Sequence, residues 1–131
     1  MVLNTGLFTG ETETLSPGLH RWREYALRTP DLPVGQIVRR SEVDPARVPD
    51  AVVAAYDAPF PTPESKAGAC AFPALIPTTA EAPGAAAMRE TRAALARWDK
   101  PALVCWSDCD PVFPLGAGEA MARLIPAARF V

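Results

Sequence analysis

An α/β fold with a mostly parallel sheet is predicted for this chain, on three observations. Short runs suited to strands lie at Val2-Leu3-Asn4-Thr5, at 102–106 and at 129–131. Helical stretches rather than tight hairpin turns separate them, and a helical crossover is the connection that parallel neighbours need. A carboxylate-bearing turn, Ser107-Asp108-Cys109-Asp110-Pro111, follows the second run directly. Open α/β sheets place their chemistry at the carboxyl ends of the strands.

The elements follow in order. The first run is expected to be a strand, and a polar turn over 10–14 leaves it. Ser16-Pro17 reads as a helix start, a hydroxyl cap followed by proline at the first helical position. The helix then carries Leu19, Trp22, Tyr25 and Ala26 on one stripe. Pro30 and Pro33 end it. Short helices are predicted over 34–40 and 49–56, an extended connector over 58–63, and a helix over 64–71 that stops before Pro73. Residues 77–84 read as a loop. An Ala-rich amphipathic helix is predicted over 85–98, with Met88, Thr91, Leu95 and Trp98 on one side. The strand at 102–106, a helix over about 117–124 and a strand from Arg129 complete the order. More than half the chain lies between the first two strands. One crossover helix would suffice there, so the remainder is expected to form a separate helical layer.

Composition narrows the class. With 131 residues, 49% of them hydrophobic and 21% charged, the chain reads as globular. A net charge of −2 argues against nucleic acid or an anionic membrane as partner. No apolar run approaches a membrane span, and no basic segment precedes an apolar one at the N-terminus, so no signal peptide is expected. Three cysteines without framework spacing suit a reducing cytoplasm. Cys105 and Cys109 have no further ligands at metal spacing, so no metal is expected. Arg21, Arg23, Arg39 and Arg40 read as a solvated face.

Several motifs together resemble one family. Tyr56-Asp57-Ala58-Pro59-Phe60-Pro61, Lys66-Ala67-Gly68-Ala69 and Ala71-Phe72-Pro73-Ala74-Leu75-Ile76-Pro77 resemble the cap of haloalkane dehalogenases, members of the α/β-hydrolase superfamily. Trp98-Asp99-Lys100-Pro101 and Asp110-Pro111-Val112 resemble the region of their acid. The resemblance implies an α/β-hydrolase fragment, a helical cap plus the C-terminal strands of a mostly parallel sheet. Residues 1–10 would be a core strand and the cap entry, 11–83 the cap, and 84–131 the C-terminal part of the core. It implies hydrolysis of a carbon–halogen bond in a small halogenated alkane to an alcohol and halide, a detoxifying reaction that uses no cofactor. In that family an Asp carboxylate forms an alkyl ester and a His activates the water that cleaves it. No Gly-x-Asp-x-Gly or Gly-x-Ser-x-Gly elbow stands in these 131 residues, and the single histidine, His20, falls in the cap helix. An N-terminal half of the fold is therefore expected to be needed for activity.

The resemblance also assigns residues. Asp110 matches the acid that would orient the histidine and stabilise its imidazolium; the bare sequence equally allows an Asp capping a turn before proline. Asp108 is the rival and fits the pattern less well. Asn4 stands after the first strand, where a sister subfamily keeps its acid. Trp22 matches the halide-holding indole of the cap, a donor-only group suited to an anion; its spacing equally allows a core residue. Phe72, Pro73 and Ile76 match residues that wall the pocket, and Leu19, one turn before Trp22, would share that wall. Trp98 and Trp106 are assigned to packing. His20 is two residues from Trp22, so the two do not share a helix face. An epoxide hydrolase using Tyr25 and Tyr56 as proton donors, and a non-catalytic chain, are the alternatives.

Overall fold

The computed structural model describes residues 1–11 and 15–131. Of the polar turn over 10–14, residues 12–14 lie outside the described residues. The chain divides into two compact units, one of residues 1–21 with 75–131 and one of residues 22–74.

The first unit holds a three-stranded parallel sheet in the order β1 (Val2–Leu3), β2 (Ala102–Cys105), β3 (Ala128–Phe130). Val2 pairs with Val104 and Leu3 with Cys105, while Ala102, Leu103 and Val104 pair with Ala128, Arg129 and Phe130. The central strand is paired on both sides, which is why its sequence is a continuous apolar run. The first strand is shorter than predicted. Asn4 turns into the left-handed region at φ +22° and ends it.

Helix α6 (Leu115–Leu124) links β2 to β3 and closes the core. Val104, Trp106, Met121 and Ile125 are buried together, with Leu7, Leu95, Phe113 and Leu124 packed around them. Gly118 lets α6 approach Trp106, because a Cβ there would lie 2.5 Å from Trp106 Cγ and Cδ2. Helix α5 (Ala85–Leu95) starts after Gly84, whose φ of +86° only glycine adopts without strain. It ends before the predicted Trp98. The N–H groups of Arg97 and Trp98 bond three residues back, a tightened last turn, and Pro101 follows. Trp98 is not a packing residue: it is 41% exposed, with the Lys100 ammonium 5.5 Å from its ring centroid.

Helix α1 (Pro17–Arg28) spans the division between the units, which falls after Arg21. Its stripe is as predicted at Leu19 and Ala26, both buried. The second unit contains the rest of α1, then α2 (Val34–Ser41), α3 (Asp50–Asp57) and α4 (Ala67–Ala71). Instead of one helix over 64–71, tight turns at Glu64–Lys66 and Phe72–Leu75 flank α4. The second turn accommodates Pro73 near its start, where a missing N–H costs nothing. Helices α2 and α3 interlock: Gly35 N–H donates to Asp57 Oδ1 at 2.8 Å, and a Cβ on Gly35 would strike the Val53 carbonyl. Arg39 does not belong to a solvated face. Its Nε donates to the Val48 carbonyl at 3.0 Å and its Nη2 to Asp50 at 2.6 Å. Lys66, in the turn before α4, pairs with Asp31, in the segment that follows α1.

The contact of α6 with Trp106 gives a stability test. Gly118→Ala gains helix propensity of up to about 1 kcal/mol, but the added methyl meets a fixed ring rather than a mobile chain end. Overpacking costs about 1–3 kcal/mol. A net loss of about 1–2 kcal/mol in urea denaturation is expected; unchanged or higher stability would show that α6 can slide off Trp106.

Candidate active site

The parallel register brings the carboxyl ends of β1 and β2 side by side. Because Leu3 is opposite Cys105, Asn4 emerges beside the loop that follows Trp106. That loop, 107–114, carries Asp110. The Asp110 carboxylate accepts three hydrogen bonds. Its Oδ1 takes the backbone N–H groups of Val112 and Phe113 at 2.7 and 2.9 Å. Its Oδ2 takes the Asn4 side-chain amide at 2.6 Å. The turn-capping role that the sequence allowed is therefore realised, and a cross-strand bond is added to it. An acceptor-only carboxylate has about four lone-pair sites, so three donors leave it able to accept one more.

Asn4 is held in one orientation by its partners. Its Oδ1 accepts the Ser107 N–H at 3.0 Å while its Nδ2 faces Asp110. Exchanging the two atoms would set an N–H against an N–H and an oxygen against a carboxylate, so the network fixes the amide. Sequence reasoning treated Asn4 as a residue where an acid could have been. The structure gives it a positive task at the same place.

The loop is braced from two further sides. Trp106 Nε1 donates to the Phe113 carbonyl at 2.8 Å, so this indole both packs and holds the far end of the loop. Ser16 Oγ accepts the Leu19 N–H at 3.0 Å, the cap expected for α1, and donates to the Val112 carbonyl at 2.5 Å. Gly18 rests against Pro111, whose carbonyl occupies the place a Cβ would take. The helix cap was readable from Ser16-Pro17. The second bond of Ser16 joins residues 96 apart and had no local signal.

Asp108, the rival acid, is exposed and engages its neighbour. Its hydrogen bond to Cys109, and after that its charge, push the Cys109 thiol up from its ordinary value. Asp110 is half-buried and held by N–H donors from two strand ends, so the two carboxylates differ in environment as well as in sequence pattern.

The remaining predicted residues fall in both units. In the first, Leu19 is 2% exposed and lines an apolar groove of about 390 Å³ with Phe8, Val112 and Phe113 beside the Asp110 loop. Ile76 is half-buried in the same unit and does not line that groove. In the second, Trp22 is half-buried against Tyr25, with ring centroids 6.4 Å apart. Phe72 is 70% exposed and Pro73 is buried. Arg23 Nε donates to the Pro73 carbonyl at 3.2 Å, which joins the helix of Trp22 to the turn of Phe72 and Pro73. Arg23 is thus a brace rather than part of a solvated face. His20 is exposed. Among the described residues no cluster of His, Cys, Asp and Glu could hold a metal ion, and no helix is long and apolar enough to cross a membrane.

A three-stranded parallel sheet with an aspartate in the turn after its central strand, and a helical insertion between its first two strands, is consistent with a fragment of an α/β-hydrolase with a helical cap. The chain is a homologue of haloalkane dehalogenases, hydrolytic enzymes, and corresponds to a C-terminal fragment of them. It is 42% identical to the haloalkane dehalogenase of Mycobacterium marinum over 120 residues, 91% of this chain and 38% of that protein. It is 39% identical to that of Mycolicibacterium paratuberculosis, covering 100% of this chain and 46% of the relative. With that of Psychrobacter cryohalolentis it shares 34% identity over 96% of this chain and 40% of the relative. The chain thus spans about two-fifths of the length of these curated relatives. No family model matches it.

Two substitutions test the bracing of the loop. Gly18→Ala places a methyl on the Pro111 carbonyl and is expected to separate α1 from the loop, a loss of about 2–3 kcal/mol in denaturant melts. Ser16→Ala removes the cap and is expected to cost about 1–2 kcal/mol. A Gly18→Ala chain as stable as the parent would contradict the packing. For the thiol, Asp108→Asn removes the group that disfavours the thiolate. Alkylation of Cys109 by iodoacetamide near pH 8 is expected to speed up severalfold, and no change would remove Asp108 as the cause.

Proposed function

We propose that this chain carries the acid and the cap of a haloalkane dehalogenase, acting on small halogenated alkanes with no metal or organic cofactor. Residues 1–10 serve as core strand and cap entry, 11–83 as cap and 84–131 as the C-terminal part of the core. The observation that carries the reading is Asp110, a carboxylate fixed by three N–H donors at the carboxyl edge of β2, in a chain whose relatives bear that enzyme's name. A carboxylate held in this way can accept an imidazole N–H, fix its tautomer and stabilise the imidazolium. The nucleophile and the histidine come from outside the motifs present here, so the parts of the fold that carry them, an N-terminal half among them, are the partner. The reaction would detoxify its substrates in the cytoplasm.

In the same reading Trp22 donates its indole N–H to the departing halide, where a preformed donor meets developing charge. Leu19, Phe72, Pro73 and Ile76 give apolar walls that keep water from the leaving group. Leu19 supports this by lining the groove beside the acid loop, and Phe72 by standing 70% exposed, free to meet a ligand.

The roles separate kinetically. Alone, the 131-residue chain is expected to release no bromide from bromoalkanes above background, since an acid cannot supply the covalent step. Put in place of the stretch it matches in the Mycobacterium marinum relative, so that the relative supplies the nucleophile and the histidine, it is expected to turn over. Asp110→Asn should then keep the first burst of bromide and slow ester hydrolysis by about 10³–10⁴-fold, because the acid assists the histidine and not the alkylation. Undiminished turnover in Asp110→Asn would refute the assignment. Trp22→Phe should instead slow the burst, by about 3 kcal/mol in the carbon–halogen step, while Trp98→Phe leaves it unchanged. An unaltered burst in Trp22→Phe would make Trp22 a packing residue.

A further inference from the structure

We propose that Asn4 is the positioning residue of the acid, so that the place and rotation of Asp110 are set from β1 rather than by its own loop alone. This rests on reading Asp110 as the acid. Two bonds carry it. The Asn4 amide N–H reaches Asp110 Oδ2 at 2.6 Å, and its carbonyl holds the Ser107 N–H at 3.0 Å. The backbone donors of Val112 and Phe113 both go to Oδ1. They anchor one oxygen and leave the carboxylate a pivot about it. Among the described residues, the bond from Asn4 is the one that anchors the other oxygen.

The task needs an asparagine. One end must donate to a carboxylate and the other must accept from a backbone N–H, at the reach of a single methylene. Aspartate keeps the acceptor but sets an oxygen against Oδ2. Alanine leaves both partners unfilled. The backbone of Asn4 at φ +22° fits the same choice, since asparagine enters the left-handed region more readily than most residues. Asn4 touches no reacting atom and acts through Asp110.

A swap of the two groups tests the contact in the chain itself. Asn4→Asp places two carboxylates at hydrogen-bonding distance, and like charges so close cannot both ionise freely. At pH 7 amide hydrogen exchange at Ser107, Val112 and Phe113 is expected to be at least tenfold faster than in the parent chain. The excess should shrink toward pH 4, where one proton can be shared. Asn4→Ala should show faster exchange without that recovery. The double variant Asn4→Asp with Asp110→Asn restores a donor facing an acceptor, and exchange at pH 7 should return to within about threefold of the parent. An Asn4→Asp effect independent of pH, or no rescue by the double variant, would overturn the contact.

The same chimera with the Mycobacterium marinum relative then tests the consequence. Asn4→Ala should lower kcat about 10–100-fold, the scale of a misplaced catalytic group, with the bromide burst and kcat/KM unchanged. Normal kcat in Asn4→Ala beside a disabled Asp110→Asn overturns the positioning role and leaves the acid in place. Normal turnover in Asp110→Asn overturns the acid, and the role of Asn4 with it.

Discussion

The pairing of Asn4 with Asp110 is the contact on which the arrangement of the site depends. Parallel strands deliver their loops to one edge, but nothing in a parallel ladder fixes those loops to each other. Here one side-chain amide does so, with its two ends on two points of the neighbouring loop. A hydrogen bond to an ionised group contributes about 1.5–3 kcal/mol, more than a neutral one. Its value also lies in geometry. It removes the rotation that would otherwise let the carboxylate sample several orientations, and the role proposed for Asp110, holding an imidazole, needs one orientation.

The surroundings repeat that economy. Trp106 belongs to the core beneath β2, and its indole nitrogen reaches the end of the loop. Ser16 begins a helix and holds the loop at Val112 with the same oxygen. Gly18 removes the side chain that would keep α1 away from Pro111. Core packing, helix capping and site geometry therefore share residues. Mutations at Ser16, Gly18 or Trp106 would alter stability and the posture of Asp110 together, which is why exchange at individual amides separates these effects better than activity alone.

What the sequence made readable was periodic or local. The stripe of α1, the cap at Ser16, the apolar run of β2 and the order of strand, helix and strand all repeat over a few residues, and each stands in the structure with small shifts of its ends. The shifts have local causes that a pattern does not weigh: the left-handed backbone at Asn4 shortened β1, and the tightened turn before Pro101 ended α5 early. Asp110 could be singled out because its turn has a residue pattern. Its partner could not, because residues 4 and 110 meet only once the register Leu3 to Cys105 is known. The arginines misled for a similar reason. A charge on a helix looks solvated until a carbonyl from elsewhere in the chain, Val48 for Arg39 or Pro73 for Arg23, turns up beside it.

A double-mutant cycle on the 131-residue chain measures the central contact most directly. Asn4→Ala, Asp110→Ala and the double variant, each followed by urea denaturation at pH 7, isolate the energy that the two side chains share. A coupling of about 1–3 kcal/mol is expected for a short bond to a carboxylate. Additive losses, with coupling below about 0.3 kcal/mol, would mean that Asn4 and Asp110 act independently and that the acid loop is held by its other braces.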